Sequence, residues 1–486
     1  MTALIIHGHF YQPPRENPWT GEVEAEPGAA PFHDWNERIY AECYAPNAAV
    51  NNYARISFNF GPTLLSWLER HHPDTYQHIL TADRESAAQR GGHGNAIAQA
   101  YGHAILPLCN ERDRLTQVVW GVADFRFRFG REPEALWLPE TAANDATLAL
   151  LIERGLRYVI LAPEQAKRVL VDSEWLDVSE SKVDTTQAYR FNHPDGSGRS
   201  IAVFFYNGPL ARAIAFEKAL TSSRGLVELF LRAATPGDLV NVATDGETYG
   251  HHFKFGDLGL AHALGVEARQ AGLWITNYGE YLDRNPPQSV VEIENGPEGE
   301  GSSWSCAHGV ARWTRDCGCH TGGEVSWNQA WRDPLRVALN FLRDDAALKF
   351  ESVASELLRD PWAARNDYIA MLLDPERARD EFLGRHAVRA LSEAEQQRVF
   401  ELLEMQHSAL LMFTSCGWFF SDLAGIETIQ VLRYAARVID LQQQLGFEVP
   451  RKQFLELLAD AKSNRPDKGN GADIFSRIVD SVAALR

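Results

Sequence analysis

The sequence predicts an α/β fold with a parallel sheet followed by an α-helical bundle, and three observations carry that prediction. Over residues 1–285, short apolar or β-branched runs alternate with helical stretches, the pattern of strands joined by crossover helices. Residues 286–330 are rich in Gly, Pro, Ser and Cys, as in Asn295-Gly296-Pro297-Glu298-Gly299-Glu300-Gly301, and read as irregular structure. Residues 331–486 set apolar side chains at i, i+3 and i+4, the spacing of amphipathic helices. Periodicity alone leaves open whether the sheet closes into a barrel or stays open and doubly wound.

In chain order, the strands expected are Leu4–Ile6, Ile56–Phe60, Ala135–Leu138, Tyr158–Leu161, Ile201–Phe205, Leu239–Ala243 and Trp274–Thr276. Helices expected between them include Pro62–Arg70, Asn144–Arg154 and Ser223–Ala234. In the last third the helices are Asp333–Phe350, Glu393–Phe413, Gly425–Leu445, Arg451–Ala461 and Asp473–Leu485. Ser392-Glu393-Ala394-Glu395 reads as a capping box opening the second of these.

Charge and composition exclude several classes. Lys and Arg number 47 against 65 Asp and Glu, a balance of −18, so the basic excess that displaces counterions from nucleic acid is missing. No stretch approaches the ~20 apolar residues of a bilayer span, so no membrane partner is expected. Met1-Thr2-Ala3-Leu4-Ile5-Ile6-His7 lacks the positive start of a secretory signal, and a cytoplasmic, soluble protein is expected. Six cysteines among 486 residues make no disulfide framework, yet Cys306, Cys317 and Cys319 crowd together. The oligomeric state is not legible.

Reactive groups in parallel α/β folds gather at the C-terminal ends of the strands. Here Leu4–Ile6 runs into His7-Gly8-His9, Ala135–Leu138 into Pro139-Glu140, and Leu239–Ala243 into Thr244-Asp245-Gly246-Glu247. Glu140 and Asp245 therefore stand out as paired carboxylates. Two such groups facing a sugar can divide glycosidic cleavage between a nucleophile and a protonated acid. The rival reading takes His7 and His9, alternate residues leaving one strand, as ligands of a divalent metal with Asp245, His251 or His252, which describes a metal-dependent hydrolase. A third reading lets the two histidines hydrogen-bond sugar hydroxyls with no metal. A further alternative is a silent glucan-binding protein with the same cleft.

The motifs His7-Gly8-His9-Phe10-Tyr11-Gln12-Pro13, Tyr101-Gly102-His103-Ala104, Trp137-Leu138-Pro139-Glu140 and Thr244-Asp245-Gly246-Glu247-Thr248-Tyr249-Gly250 resemble four ordered motifs of glycoside hydrolase family 57. That family contains α-amylases, 4-α-glucanotransferases, amylopullulanases, α-galactosidases and branching enzymes. Thr414-Ser415-Cys416-Gly417-Trp418-Phe419-Phe420-Ser421-Asp422 stands where its last motif lies. The resemblance implies a (β/α)7-type distorted barrel, a retaining mechanism on α-glucans, and no required metal or cofactor. It implies Glu140 as nucleophile and Asp245 as general acid/base. Around them it implies His7, His9 and His103 as sugar-binding groups, with Trp418 and Asp422 arriving from the helical domain. Gln12, Trp137, Glu247 and His251 lie within or beside the same motifs and join the expected substrate-binding set. Phe10-Tyr11 separate His9 from Gln12-Pro13, where the family pattern runs His-Gln-Pro directly.

Two further groups come from the irregular segment. Trp304, His308, Arg312 and Trp313 could face a glucan, since aromatic and guanidinium planes suit sugar rings. Alternatively, Cys306, His308, Cys317, Cys319 and His320 offer thiolate and imidazole donors of the kind zinc prefers. Gly91-Gly92-His93-Gly94-Asn95 lacks the Lys-Ser/Thr of a phosphate loop, and Gly-x-Ser-x-Gly is absent.

Overall fold

Eight consecutive buried residues, Ala3–Phe10 (β1), form the central strand of the α/β region in this computed structural model, which describes residues 1–233 and 235–485, without the side chains of 482–485. Burial on both faces is what a parallel strand needs, and the run Ala3-Leu4-Ile5-Ile6 supplies it without alternation. The strands that follow are β2 (Ser57–Phe60), β3 (Ala98–Gln99), β4 (Leu136–Trp137), β5 (Tyr158–Leu161) and β6 (Ala166–Val171). After them come β7 (Glu174–Asp177), β8 (Ala188–Asn192), β9 (Ser200–Phe205), β10 (Leu239–Asp245), β11 (Trp274–Ile275) and β12 (Val290–Ile293).

Parallel pairing links β10 to β1, β1 to β2, β3 to β4 and β5 to β9. Single parallel bridges from Phe58 to Ala96 and from Ala135 to Tyr158 carry the sheet from β2 to β3 and from β4 to β5. The N–H of Asn207, just past β9, donates to the carbonyl of Asn241 on β10 at 2.8 Å. The neighbours therefore run β1-β2-β3-β4-β5-β9-β10 and return to β1, the order of a distorted seven-stranded barrel. β11 adds to the start of β1.

Several strands were not expected. β8, β12, β6 and β7 extend the sheet sideways from β9, and β7 is exposed along its whole length. Of these, only β7 lies at the sheet edge, and the four strands are short and mix apolar with charged or polar residues, so hydropathy gives them a weak signal. β1 reaches Phe10 rather than stopping at Ile6, and β10 reaches Asp245. His7, His9 and Asp245 thus sit on strands rather than in the loops after them. The expected helices appear as Pro62–His71, Asp145–Glu153 and Ser223–Arg232; Ala234, the expected end of the last, lies outside the described residues.

The chain divides into two compact units: residues 1–12, 24–100 and 124–305, and residues 13–23, 101–123 and 306–486. Composition draws its boundaries elsewhere, at 285 and 330. The strand β12 pairs with β6 and β8, which ties the chain beyond 285 to the first unit. Residues 101–123 belong with the helices because Arg365 donates to Asp113 at 2.8 Å and the Trp120 indole donates to the Arg365 carbonyl at 3.0 Å, contacts no composition shift can reveal.

The second unit is helical. Its helices include Arg332–Leu357, Glu393–Leu411, Ile426–Gln444, Arg451–Ala459 and Gly471–Leu485. The capping box forms as the sequence predicts: the Ser392 N–H donates to the Glu395 carboxylate at 2.9 Å, and the Glu395 N–H donates to Ser392 Oγ at 3.4 Å. Among the described residues, no helix is long and apolar enough to cross a membrane.

Candidate active site

The register of β1 fixes the floor of the site. His9 pairs with Asp245 on β10 and with Asn59 on β2, while His7 pairs with Ala243 and Ser57. Alternation along a strand puts residues two apart on one side, so His7 and His9 form successive levels on one face. The side-chain amide of Asn59 joins them. Its nitrogen donates to His9 Nδ1 at 2.9 Å and to Gln99 Oε1 at 2.7 Å, which turns its oxygen toward His7 Nε2 at 3.0 Å. His7 Nε2 then carries the proton, and His7 Nδ1 accepts from the Ser57 hydroxyl at 3.0 Å. Both rings stack on the indole of Trp137, at 4.7 Å for His7 and 4.9 Å for His9.

That network decides the role of the histidines. Burial pushes both rings down to about 3, so they are neutral. His7 has one nitrogen donating and the other accepting, and His9 Nδ1 already accepts a hydrogen bond. These contacts fit the reading in which the two histidines act as hydrogen-bonding groups of the site. Among the described residues the one Cys, His and carboxylate cluster at ligand distance lies in the other unit.

Glu140 follows β4 in the left-handed region, with φ 59° and ψ 22°, and Thr141 repeats it with φ 52°. Two consecutive non-glycine residues there store about 1–3 kcal/mol each and persist only where surroundings hold them. Thr141 is fully buried. Its hydroxyl donates to Gln165 Oε1 at 2.8 Å and accepts from the Trp304 N–H at 3.1 Å. The Trp304 indole N–H and the Ser305 hydroxyl both donate to Glu140 Oε2, at 3.0 and 2.6 Å. One carboxylate oxygen is thereby fixed by two donors.

Asp245, at the end of β10, keeps solvent access although protein surrounds it. That packing first, and the charge of Glu140 second, push its carboxyl up to about 7. The acid thus feels its partner: the two groups share one electrostatic site. Tyr206, just past β9, feels Asp245 in turn, and its ring lies 6.2 Å from that of Trp304. Glu247 is more enclosed. It accepts from the Tyr44 hydroxyl at 2.6 Å and the Tyr11 N–H at 3.2 Å, and burial above all pushes it up to about 8. His251 is paired with Glu42. Gln12 donates to the Tyr11 carbonyl at 2.9 Å.

The remaining expected residues belong to the second unit. His103 is buried there against Ser415 Oγ at 2.7 Å. Trp418 is fully buried, with its indole 4.4 Å from the Arg336 guanidinium and its N–H donating to the Arg332 carbonyl. Asp422 accepts from Ser463 Oγ and the Asn464 N–H, at 3.0 and 2.6 Å. Arg312 donates to Thr321 and lies 4.1 Å over the Phe419 ring. Within this unit, Trp418 and Asp422 are buried and hydrogen-bonded to neighbouring residues. His308 approaches Cys319, whereas His320 reaches only the Gly322 carbonyl and stays outside the cysteine cluster.

Sequence reasoning missed Ser57, Asn59, Gln99 and Ser305. Asn59 had a signal, since Ser57-Phe58-Asn59-Phe60 alternates polar and apolar residues in a strand otherwise suited to a core.

A ring of parallel strands with acids at its C-terminal ends, backed by stacked aromatic rings, places the first unit among the α/β proteins. A family model described as Glycosyl hydrolase family 57 matches residues 28–294, over half of the chain, so the chain belongs to that family. Residues 327–484 match a model described as a domain of unknown function, DUF3536. A 4-alpha-glucanotransferase of Thermococcus litoralis is 24% identical over 280 residues, which is 55% of this chain and 39% of the relative. An alpha-amylase of Pyrococcus abyssi is 23% identical over 62% of this chain and 42% of its own length. The chain thus spans less than half the length of these curated relatives. In fold it is similar to an exo-type maltose-forming amylase from Pyrococcus sp. ST04, with a TM-score of 0.71 at 14% identity over 94% of this chain and 82% of that one. A branching enzyme from Pyrococcus horikoshii gives a TM-score of 0.56 at 16% identity, over 95% and 94%.

Proposed function

We propose that this protein cleaves or transfers α-glucosidic bonds by double displacement, with Glu140 as nucleophile and Asp245 as general acid/base. The observation that carries the reading is the unequal treatment of the two acids. Glu140 Oε2 meets two hydrogen-bond donors, the partners of a charged acceptor, whereas Asp245 holds its proton to about 7. Two acids in such different surroundings divide into attacking and proton-donating roles. Glu140 attacks the anomeric carbon while Asp245 protonates the departing oxygen. Asp245, now ionised, then takes a proton from water or from an acceptor sugar, and the glycosyl–Glu140 ester breaks. Trp137 and the neutral His7 and His9 build the wall behind the acids. The names of the relatives, a glucanotransferase and amylases, support α-glucan as the substrate class.

Incubation with maltoheptaose tests the proposal. Shorter sugars alone mean hydrolysis, a ladder of longer ones means transfer, and new α-1,6 linkages mean branching. The product of the Glu140 reaction should keep the anomeric configuration of its substrate by proton NMR. Unchanged turnover in both Glu140→Gln and Asp245→Asn overturns the assignment. Glucan binding by a wild-type protein that turns over none of these sugars favours the binding-protein reading instead.

A further inference from the structure

The second unit carries a side-chain cluster that glycosidic chemistry does not use. Cys306, His308, Cys317 and Cys319 each present one ligand atom, and these four atoms all lie within 4.8 Å of one another. Cys306 Sγ and Cys317 Sγ are 3.8 Å apart, and His308 Nδ1 lies 3.5 Å from Cys319 Sγ. A tetrahedral zinc with Zn–S of about 2.3 Å and Zn–N of about 2.0–2.1 Å has edges of about 3.8 Å between sulfurs and about 3.5 Å between sulfur and nitrogen. Both distances match. The sulfurs of Cys306 and Cys317 are also well beyond bonding distance, and all three cysteines are free thiols.

The surroundings fit the same ion. The backbone N–H groups of His308 and Arg312 both point at Cys306 Sγ, as the second layer of a thiolate–metal site requires. Arg332, fully buried, donates to the Cys319 carbonyl at 2.7 Å and lies close enough to Arg312, Cys317, Asp316 and Cys306 to feel their charges. Two guanidinium groups in a protein interior need negative charge nearby. Three thiolates and a neutral imidazole around a divalent ion leave a net charge of minus one, which adds to that of Asp316.

We propose that Cys306, His308, Cys317 and Cys319 bind one zinc ion as a structural Cys3His site. The three thiols release their protons as the Zn–S bonds form, and His308 ligates through Nδ1 as the neutral ring. A fourth protein ligand closes the coordination shell, so the ion takes no part in catalysis. Its work is to tie the irregular chain of 306–319 to the start of the helix Arg332–Leu357, since Arg332 holds the carbonyl of one ligand residue. Cys306 follows Ser305 directly in the chain. His320, which composition groups with these residues, is not a ligand.

The test uses the full chain, purified under reducing conditions and reconstituted with zinc sulfate. Elemental analysis should find one zinc per chain in the wild type and in His320→Ala, and none in the double variant Cys317→Ser/Cys319→Ser. Replacing zinc by cobalt should give the sulfur-to-metal charge-transfer and tetrahedral ligand-field bands, a readout that needs no variant to fold. His308→Ala should weaken zinc binding by about 10–100-fold or more. Three results overturn the proposal: no zinc on the reconstituted wild type, stoichiometric zinc that survives the double cysteine change, or a cobalt spectrum without thiolate bands. Because none of these measurements uses a sugar, the site stands or falls independently of Glu140 and Asp245.

Discussion

The two units treat polar residues in opposite ways. In the first, Asp245 ends a buried strand yet keeps solvent access, and Glu140 is held in a strained left-handed turn with one oxygen fixed by Trp304 and Ser305. In the second, Trp418, Asp422 and His103 are buried and hydrogen-bond within the unit, to the Arg332 carbonyl, the Asn464 N–H and Ser415. A parallel sheet cannot satisfy side chains beyond the ends of its strands, so chemistry collects there. A helix bundle meets its own backbone needs and can wrap any residue that its side chains can pair. The difference teaches that an acidic residue in a motif-like position gains its character from where the fold sets it, at an open strand end in the first unit and inside helix packing in the second.

Four experiments sharpen or break that comparison. The largest effect is expected for Glu140→Gln, which should lower kcat by at least about 10³-fold while circular dichroism stays unchanged; a smaller loss removes Glu140 from the role of nucleophile. Next, Trp418→Ala should cost about 3–5 kcal/mol of stability, read as a lower midpoint in urea, with KM for maltoheptaose in the folded fraction unaffected. A raised KM with an unshifted midpoint would transfer Trp418 to the substrate. Third, Glu247 holds its proton up to about 8 in the fold against an ordinary 4.5. The stability linked to it is complete below 4.5 and is lost as pH rises through 8. Glu247→Gln should therefore gain on the wild type between pH 5 and pH 8, by about 3 kcal/mol in urea titrations; a difference that does not change with pH contradicts it. The smallest effect concerns Asp245, which must be protonated to act as the acid. Its proton is lost as pH rises through about 7, so kcat/KM should fall about tenfold per pH unit above that point, and Asp245→Asn should abolish this limb.

Many of the strand positions and most of the long helices were legible, because apolar runs and 3.6-residue periodicity are written locally. Leu239–Ala243, Tyr158–Leu161 and the capping box at Ser392 appear where apolar runs and end signals put them. The strands β6, β7, β8 and β12 were not, since they are short and interleave charged or polar residues with their apolar ones. Nor were the unit boundaries, because Asp113 and Arg365 are 252 residues apart.

The sequence by itself determined which groups stand at the strand ends, Glu140, Asp245, His7 and His9, and that thiols gather near 306–319. Only the tertiary structure decided their states. Burial among neighbouring strands makes both histidines neutral, Asn59 orients them through its amide, and two donors brought from beyond residue 300 fix Glu140. Likewise, folding gathers four of five soft donors and leaves His320 out. Local patterns record side-chain type and hydropathy, whereas protonation, pairing and ligation depend on which distant chain segments fill the space around a group.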